Sequence, residues 1–267
     1  MRRLIVEDLT IRAGQRTLVD EVSFALDEGK ILAIVGPSGA GKSVMTRSLL
    51  GLQGPLPGVV GGAVIVEEPE VTARLYDSQQ EEDALAIFSR LRGDVIGYLP
   101  QHARESLDPM WTVGKQVQEA MDLAGHMDTV GDWLKRAGFS DPDRVIGLYP
   151  HELSGGMAQR VCIALAIARG SRFLLADEPT TGLDPTVQRA ILNELKRIAQ
   201  SGVGILLITH DLRIVPEYAD HVMIMNAGRV VERLEASKLG EAESEMARAL
   251  LAATDRISHS KKGRVRG

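Results

Sequence analysis

The sequence predicts an α/β fold built on a parallel, helix-flanked sheet. Two observations carry that expectation: short β-branched apolar runs alternate with segments of helical period, and one such run, Ile31–Val35, enters a glycine-rich turn that opens onto a helical pattern. Composition agrees. Of 267 residues, 44% are apolar and 25% charged, near globular averages, which excludes wholesale disorder. The length suits one large domain or a domain with a small appendage. The net charge, 31 − 36 = −5, argues against a general nucleic-acid binder. A single cysteine, Cys162, excludes a disulfide framework, a cysteine zinc site or a cysteine-held iron–sulfur cluster within one chain, and suits a reducing compartment.

In chain order, Leu4–Glu7 and Val22–Leu26 read as strands, and Ile31–Val35 as a buried strand. Lys42–Leu50 reads as a helix. Val95–Leu99, Phe173–Ala176, Ile205–Thr209 and Val222–Met225 are further candidate strands. Pro185–Gln200 is the clearest helix: Val187, Ile191, Leu195 and Ile198 follow helical spacing, Asp184 can cap it, and Pro185 suits its first position. Val113–Leu123 and Thr129–Ala137 look helical, with Gly138 as a C-terminal cap. Residues 105–160 therefore read as a helical insertion, residues 67–92 as an acidic, variable edge, and residues 234–253 as polar-helical. The tail Arg256–Gly267 reads as a solvated terminus, with contact to anionic lipid as the competing reading. The apolar run Leu4-Ile5-Val6 is too short for a signal peptide. The longest apolar run, Val161–Ala168, is far below the roughly 18 residues that span a bilayer, so a membrane role is expected to come through a partner.

Three stretches carry chemistry. Gly36-Pro37-Ser38-Gly39-Ala40-Gly41-Lys42-Ser43 fits the phosphate-binding loop pattern, in the required setting between strand and helix. Its glycines let backbone N–H groups converge on phosphate oxygens, and the helix that continues through Val44 offers its positive end. Lys42 would reach the β- and γ-phosphates, and the Ser43 hydroxyl would ligate Mg²⁺. Phe173–Ala176 is an apolar strand ending in Asp177 and Glu178; Asp177 would hold Mg²⁺ and Glu178 would polarise the attacking water. In Leu153-Ser154-Gly155-Gly156-Met157-Ala158-Gln159-Arg160, Ser154 caps a helix and the two glycines leave backbone N–H groups bare for an anion.

With these stations in this order, the chain resembles the ATP-binding cassette (ABC) ATPases over about residues 3–235. That family's LSGGQ signature is LSGGM here. Gln101 stands where its Q-loop glutamine does, Thr181-Gly182-Leu183-Asp184 resembles the D-loop, and His210 resembles the switch histidine. The resemblance implies a P-loop NTPase fold: a RecA-like core, an antiparallel β subdomain and an inserted helical subdomain at about 105–160, with a C-terminal helix and tail over 236–267. It implies two ATP molecules bound with Mg²⁺ between two head-to-tail domains. Ser154, Gly155, Gly156 and Asp184 would then serve a nucleotide shared with a second ATP-binding subunit, a copy of this chain or a related one. Gln101 would sense Mg²⁺ and water, and His210 would stabilise charge developing on the γ-phosphate.

Ser106–Val117 and Tyr149–Leu153 look like the peptide/nickel importer branch. That branch works at the cytoplasmic face of the cell membrane with two permease subunits and a solute-binding protein. Oligopeptide members of that branch often carry a C-terminal cysteine cluster for an iron–sulfur centre; with Cys162 alone, this sequence tilts the expected cargo toward nickel or metal chelates. An ATPase of a soluble phosphonate-degrading complex shares the branch's motifs. Non-transport ABC ATPases of DNA repair carry coiled-coil or zinc insertions, for which this chain has neither heptads nor cysteines. Three departures stand out: the family's adenine-stacking aromatic is replaced near Ala13 by Arg12 and Arg16, Ala158 is small, and His102 follows Gln101 where an acid or amide is common. Cys162, Met223 and Met225 read as core residues, and His126, His151, His221 and His259 lack metal-ligand spacing.

Overall fold

The computed structural model describes residues 2–52, 58–67, 72–73, 92–93 and 95–263. Most of the expected variable edge at 67–92 lies outside the described residues, as does the end of the basic tail. The chain divides into two compact units. One, here the phosphate-loop unit, comprises Arg2–Leu26, Ile31–Ala84 and Leu207–Gly267. The other, the helical unit, comprises Asp27–Lys30 and Leu85–Leu206.

In the phosphate-loop unit, strands β1 (Arg3–Ala13), β2 (Arg16–Asp27), β4 (Gly58–Val66) and β5 (Thr72–Ala73) form a sheet in the order β2-β1-β4-β5. β1 and β4 run antiparallel, Leu4 opposite Val66 and Arg12 opposite Gly58. The two sequence-expected strands are longer here because each continues past a kink. Asp8 and Glu21 adopt left-handed backbone (φ 46° and 50°). The Asp8 N–H donates to Ser23 Oγ at 2.8 Å, and Ser23 Oγ donates back to Asp8 Oδ1 at 2.8 Å. The strand expected to end at Glu7 therefore continues through a bend at Asp8 held by Ser23 of its neighbour.

The same unit holds β3 (Ile31–Val35), β9 (His221–Asn226) and β10 (Arg229–Glu235). β3 and β9 are parallel, and β10 returns antiparallel on β9. Ala227 and Gly228 both have positive φ (47° and 84°), the geometry of a tight two-residue hairpin. The end of β8 (Gly204–Ile208) lies beside β3, continued by a bond from the Thr209 N–H to Ile34 O at 3.1 Å. Helix α1 (Lys42–Leu49) follows β3. The polar helix expected over 234–253 is corrected: the chain finishes β10, makes a 3₁₀ turn at Ala236–Glu241 and starts a helix only at Glu245. Ala236, Leu239, Ala242 and Ala247 pack there against Ala33, Val35, Val222 and Ile224, which fixes the turn as part of the core.

In the helical unit, β6 (Ile96–Leu99) and β7 (Phe173–Asp177) are parallel, Ile96 opposite Phe173. The start of β8 lies beside β7, where the Gly204 N–H donates to Arg172 O at 2.9 Å. Between β6 and β7 run α2 (Val113–Ala124), α3 (Val130–Arg136), α4 (Asp143–Ile146) and α5 (Gly155–Ala168), and α6 (Pro185–Gln200) follows β7. Thr129 caps α3 in a reciprocal box with Asp132, and Gly138 (φ 88°) takes the left-handed position just after it. α2 and α3 pack on α5. α5 is apolar nearly all round and correspondingly buried: Val161, Ile163, Ala164 and Ala168 have no exposed surface.

Candidate functional site

In the phosphate-loop unit, the buried strand β3 delivers the chain into residues 36–41. Gly36 lies against the end of β9, so close that a Cβ there would stand 2.2 Å from Met225 O. Gly39 and Gly41 take left-handed backbone (φ 79° and 98°) on either side of Ala40, and the curl is closed by the Ala40 N–H donating to Pro37 O at 3.2 Å. Ser38 sits exposed on the rim. The Gly228 N–H clamps the far side by donating to Ala40 O at 3.1 Å. Lys42 is buried, and its Nζ folds back to donate to Gly36 O at 2.8 Å and Pro37 O at 3.0 Å. Ser43 and Val44 follow, half-buried in the first turn of α1. That helix start has Gly41 as its cap, no side-chain cap and no acidic residue. A concave backbone, a helix's positive end and an ammonium in one loop make a site for an anion with several oxygens.

His210 belongs to the same unit, exposed just after β8. Next to it, burial pushes the Asp211 carboxyl up, but the hydrogen bonds and charge of Arg213 outweigh this and hold it below its ordinary value. Arg213 Nε donates to Asp211 Oδ1 at 2.7 Å and its Nη2 to Oδ2 at 2.6 Å. At the β1–β2 turn, Arg12 and Arg16 are exposed on either side of Ala13 and Gly14.

In the helical unit, Asp177 ends β7 almost fully buried, and Tyr98 Oη of β6 donates to its Oδ2 at 3.3 Å. Glu178 follows in left-handed backbone (φ 48°), which turns the chain sharply off the strand. The Thr181 N–H donates to Glu178 O at 3.1 Å, and the Thr181 hydroxyl donates to Glu178 Oε2 at 2.9 Å. Asp184 caps α6 as expected, accepting from the Thr186 and Val187 N–H groups, each at 3.0 Å. Ser154 caps α5, accepting from the Met157 N–H at 3.3 Å. Gly155 and Gly156 open that helix against α6: a Cβ on Gly156 would stand 2.4 Å from Val187 Cγ1, and one on Gly155 3.0 Å from Leu183 Cδ2. Gln101 is exposed just after β6. Gln101, Gly155, Gln159 and Thr181–Leu183 line one cleft of about 240 Å³. Of the sequence-predicted residues, Gln101, Ser154–Gly156, Asp177, Glu178 and Asp184 thus belong to the helical unit, and the phosphate loop and His210 to the other.

The turn after Gln101 is tied to the start of α5. Arg104 Nη2 donates to Leu153 O. The Cys162 thiol lies 3.4 Å from Ser106 Oγ and 3.5 Å from Ala103 O. Burial pushes that thiol up to about 11, so it stays protonated and behaves as a packed donor.

The sequence profile of the family described as ABC transporter matches residues 19–181. The chain belongs to the ABC transporter family. The oligopeptide transport ATP-binding protein OppD of Lactococcus lactis subsp. cremoris (strain SK11) is 36% identical over 232 residues, 84% of this chain and 66% of the relative. AppD of Bacillus subtilis (strain 168), also an oligopeptide transport ATP-binding protein, is 38% identical over 222 residues, 80% of this chain and 65% of the relative. The chain therefore spans just under two thirds of the length of these curated relatives. Among solved structures, the dimeric ABC transporter cassette MJ0796 matches with TM-score 0.69 and 25% identity, covering 88% of this chain and 99% of that one. CbiO1 of Clostridium perfringens, described as part of the ABC transporter complex cbiONQ, matches with TM-score 0.71 and 26% identity, covering 97% and 98%.

The expected fold, an ABC-type P-loop domain of mixed α/β architecture, is therefore the fold of this chain. Within this ABC domain the structure adds three contacts that sequence reasoning did not assign: Tyr98 on Asp177, Thr181 on Glu178, and Val187 against Gly156. Thr181 and Val187 stood in stretches already singled out, the D-loop-like segment and the helix that Asp184 caps, whereas Tyr98 had no signal. Among the described residues, no helix is long and apolar enough to cross a membrane.

Proposed function

We propose that this chain binds and hydrolyses ATP as one of two nucleotide-binding subunits of an ABC importer, and that the cargo is a short peptide. The observation that carries the reading is the loop Gly36–Ser43, with Lys42 Nζ folded onto the carbonyls of Gly36 and Pro37 at a helix start free of acidic residues. Peptide as cargo is supported by the names of the relatives, which are oligopeptide transport proteins. Nickel or a metal chelate is the competing cargo.

In this reading the backbone of Gly36–Gly41 cradles the phosphates, and Val44 and the rest of the first turn of α1 complete the cradle. Lys42 exchanges its two carbonyl acceptors for β- and γ-phosphate oxygens. Ser43, Asp177 and Gln101 offer a hydroxyl, a buried carboxylate and an amide oxygen, hard donors of the kind Mg²⁺ takes alongside phosphates and water. Mg²⁺ bound by them would neutralise charge on the β- and γ-phosphates. Glu178 accepts a proton from the attacking water, and His210 donates a hydrogen bond to the γ-phosphate as the bond to the leaving oxygen breaks. Ser154, Gly155 and Gly156 engage the nucleotide of the second subunit, a copy or a relative, and Asp184 holds the start of α6 in register beside them. The dimer sits on two permeases at the cytoplasmic face of the membrane, with a solute-binding protein delivering cargo from the other side.

The test is purification from membranes with whatever the chain binds, reconstitution into lipid vesicles, and ATP turnover with and without peptide-loaded solute-binding protein. Co-purifying polytopic permeases and peptide-stimulated turnover, abolished by Lys42→Ala, are the expected results. Turnover undiminished in Lys42→Ala contradicts the phosphate-loop assignment. Soluble lyase subunits in place of permeases would favour a phosphonate-degrading complex, and stimulation by nickel chelates alone would replace the peptide.

A further inference from the structure

We propose that the Thr181 hydroxyl is a positioning group for the Glu178 carboxylate, fixing the direction from which that carboxylate meets the attacking water. The inference rests on the reading of Glu178 as the general base. Its geometry stands apart from that reading. Glu178 is the residue at which the chain leaves β7, and it does so in left-handed backbone (φ 48°), a conformation that side chains other than glycine rarely adopt. The backbone turn is already closed by the Thr181 N–H on Glu178 O at 3.1 Å. The second bond, Thr181 Oγ1 to Glu178 Oε2 at 2.9 Å, is therefore not needed to make the turn; it fixes the carboxylate relative to it.

Nor does Thr181 serve the core. Its side chain is exposed, and the start of α6 is capped by Asp184. Thr181 lines the same cleft as Gln101, so the group that orients the base shares a wall with the residue placed at the Q-loop. Gln159, buried with its Nε2 lacking a partner among the described residues, also lines that cleft, which marks it as a polar recess. A glutamate side chain has three rotatable bonds, and a base that must meet a water within hydrogen-bond distance loses rate when it wanders among them. One hydrogen bond to one carboxylate oxygen removes most of that freedom.

The experiment compares Thr181→Val, which keeps the shape and loses the hydroxyl, with Thr181→Ser, which keeps the hydroxyl and loses the methyl. Steady-state MgATP hydrolysis is measured for each in the reconstituted complex. A hydrogen bond to a charged group predicts a fall in kcat of about 10- to 100-fold for Thr181→Val, with KM for ATP within about twofold of wild type. Thr181→Ser should return most of the rate. In a Glu178→Gln background, Thr181→Val should add less than about twofold, because a residue acting only through Glu178 has nothing left to orient. A Thr181→Val enzyme with wild-type kcat, a Ser variant as slow as the Val variant, or fully multiplicative losses would each overturn the proposal. Undiminished turnover in Glu178→Gln would overturn the reading of Glu178 as base and this proposal with it. A dead Glu178→Gln beside an unaffected Thr181→Val would overturn this proposal alone.

Discussion

Gly36 and Gly39 belong to one loop, yet an alanine at each is predicted to fail for a different physical reason and to a different extent. A Cβ on Gly36 would meet Met225 O at 2.2 Å and Met225 C at 3.2 Å, where unstrained contacts lie at about 3.5 Å. Met225 is fully buried in β9, and the parallel register that pairs Val35 with Ile224 brings its carbonyl beside Gly36. The overlap is with backbone, so no side chain can rotate to relieve it. Either β3 and β9 part locally or the loop peels away, losing on the order of one ladder hydrogen bond as well as packing. Overpacking at about 1–3 kcal/mol plus about 1 kcal/mol for the bond gives a destabilisation of roughly 3 kcal/mol for Gly36→Ala. Among the described residues a Cβ on Gly39 meets nothing within 4 Å, and it is its φ of 79° that opposes alanine, a penalty of about 1–2 kcal/mol. The entropy that alanine removes from the unfolded chain is the same in both variants and cancels in their difference. Urea unfolding followed by circular dichroism should therefore place Gly36→Ala about 1–2 kcal/mol below Gly39→Ala. Equal stability of the two variants would refute the close approach of loop and strand on which the shape of the phosphate loop depends.

Two further outcomes follow from contacts of α5. Gly156→Ala forces a methyl to within 2.4 Å of Val187 Cγ1; it should destabilise the protein, while the same change made in Val187→Ala should be neutral or stabilising, a coupling of about 1–3 kcal/mol that a double-mutant cycle reads directly. Identical effects in the two backgrounds would exclude the contact. The Cys162 thiol, pushed by burial from an ordinary 9.0 to about 11, titrates later in the folded than in the unfolded chain. Its neutral form is favoured by folding, so the associated stability is complete below pH 9 and declines as pH rises from 9 toward 11, by about 2–3 kcal/mol at most. Stability measured against pH for wild type minus Cys162→Ala should show that decline; parallel curves would refute it.

Much of this fold was legible because its elements announce themselves by local chemistry. Pro185–Gln200 matches its helix at both bounds, since Asp184, Pro185 and the apolar period all act within the segment. Ile31–Val35 and the glycines after it are equally local. What escaped depends on partners distant in sequence. β4, with Gly58, Gly61 and Gly62 among its nine residues, has a weak strand signal and owes its pairing to β1. β10 alternates half-buried and exposed positions, but it begins from an Ala-Gly turn in place of the more recognisable Asn-Gly or Asp-Gly, and its last two residues, Leu234 and Glu235, fall inside the stretch read as polar helix. The bend at Asp8 looked like a strand end because the hydroxyl that holds it lies on Ser23.

The site shows the same division. A motif records residue types along the chain; it does not record which neighbour forbids a side chain. The two glycines after Ser154 read as bare backbone offered to an anion, and their place at the start of α5 is compatible with that use. Yet Gly156 has a second reason to lack a side chain, because Val187 occupies the space a Cβ would need, and Gly155 stands nearly as close to Leu183. Leu183 and Val187 flank Asp184, whose carboxylate fixes the first turn of α6. The start of α5 and the first turn of α6 with the residues before it are therefore packed through the glycines themselves. A loss of turnover in Gly156→Ala cannot by itself be assigned to a lost anion contact. Only turnover that stays low after Val187→Ala has removed the clash would belong to the anion.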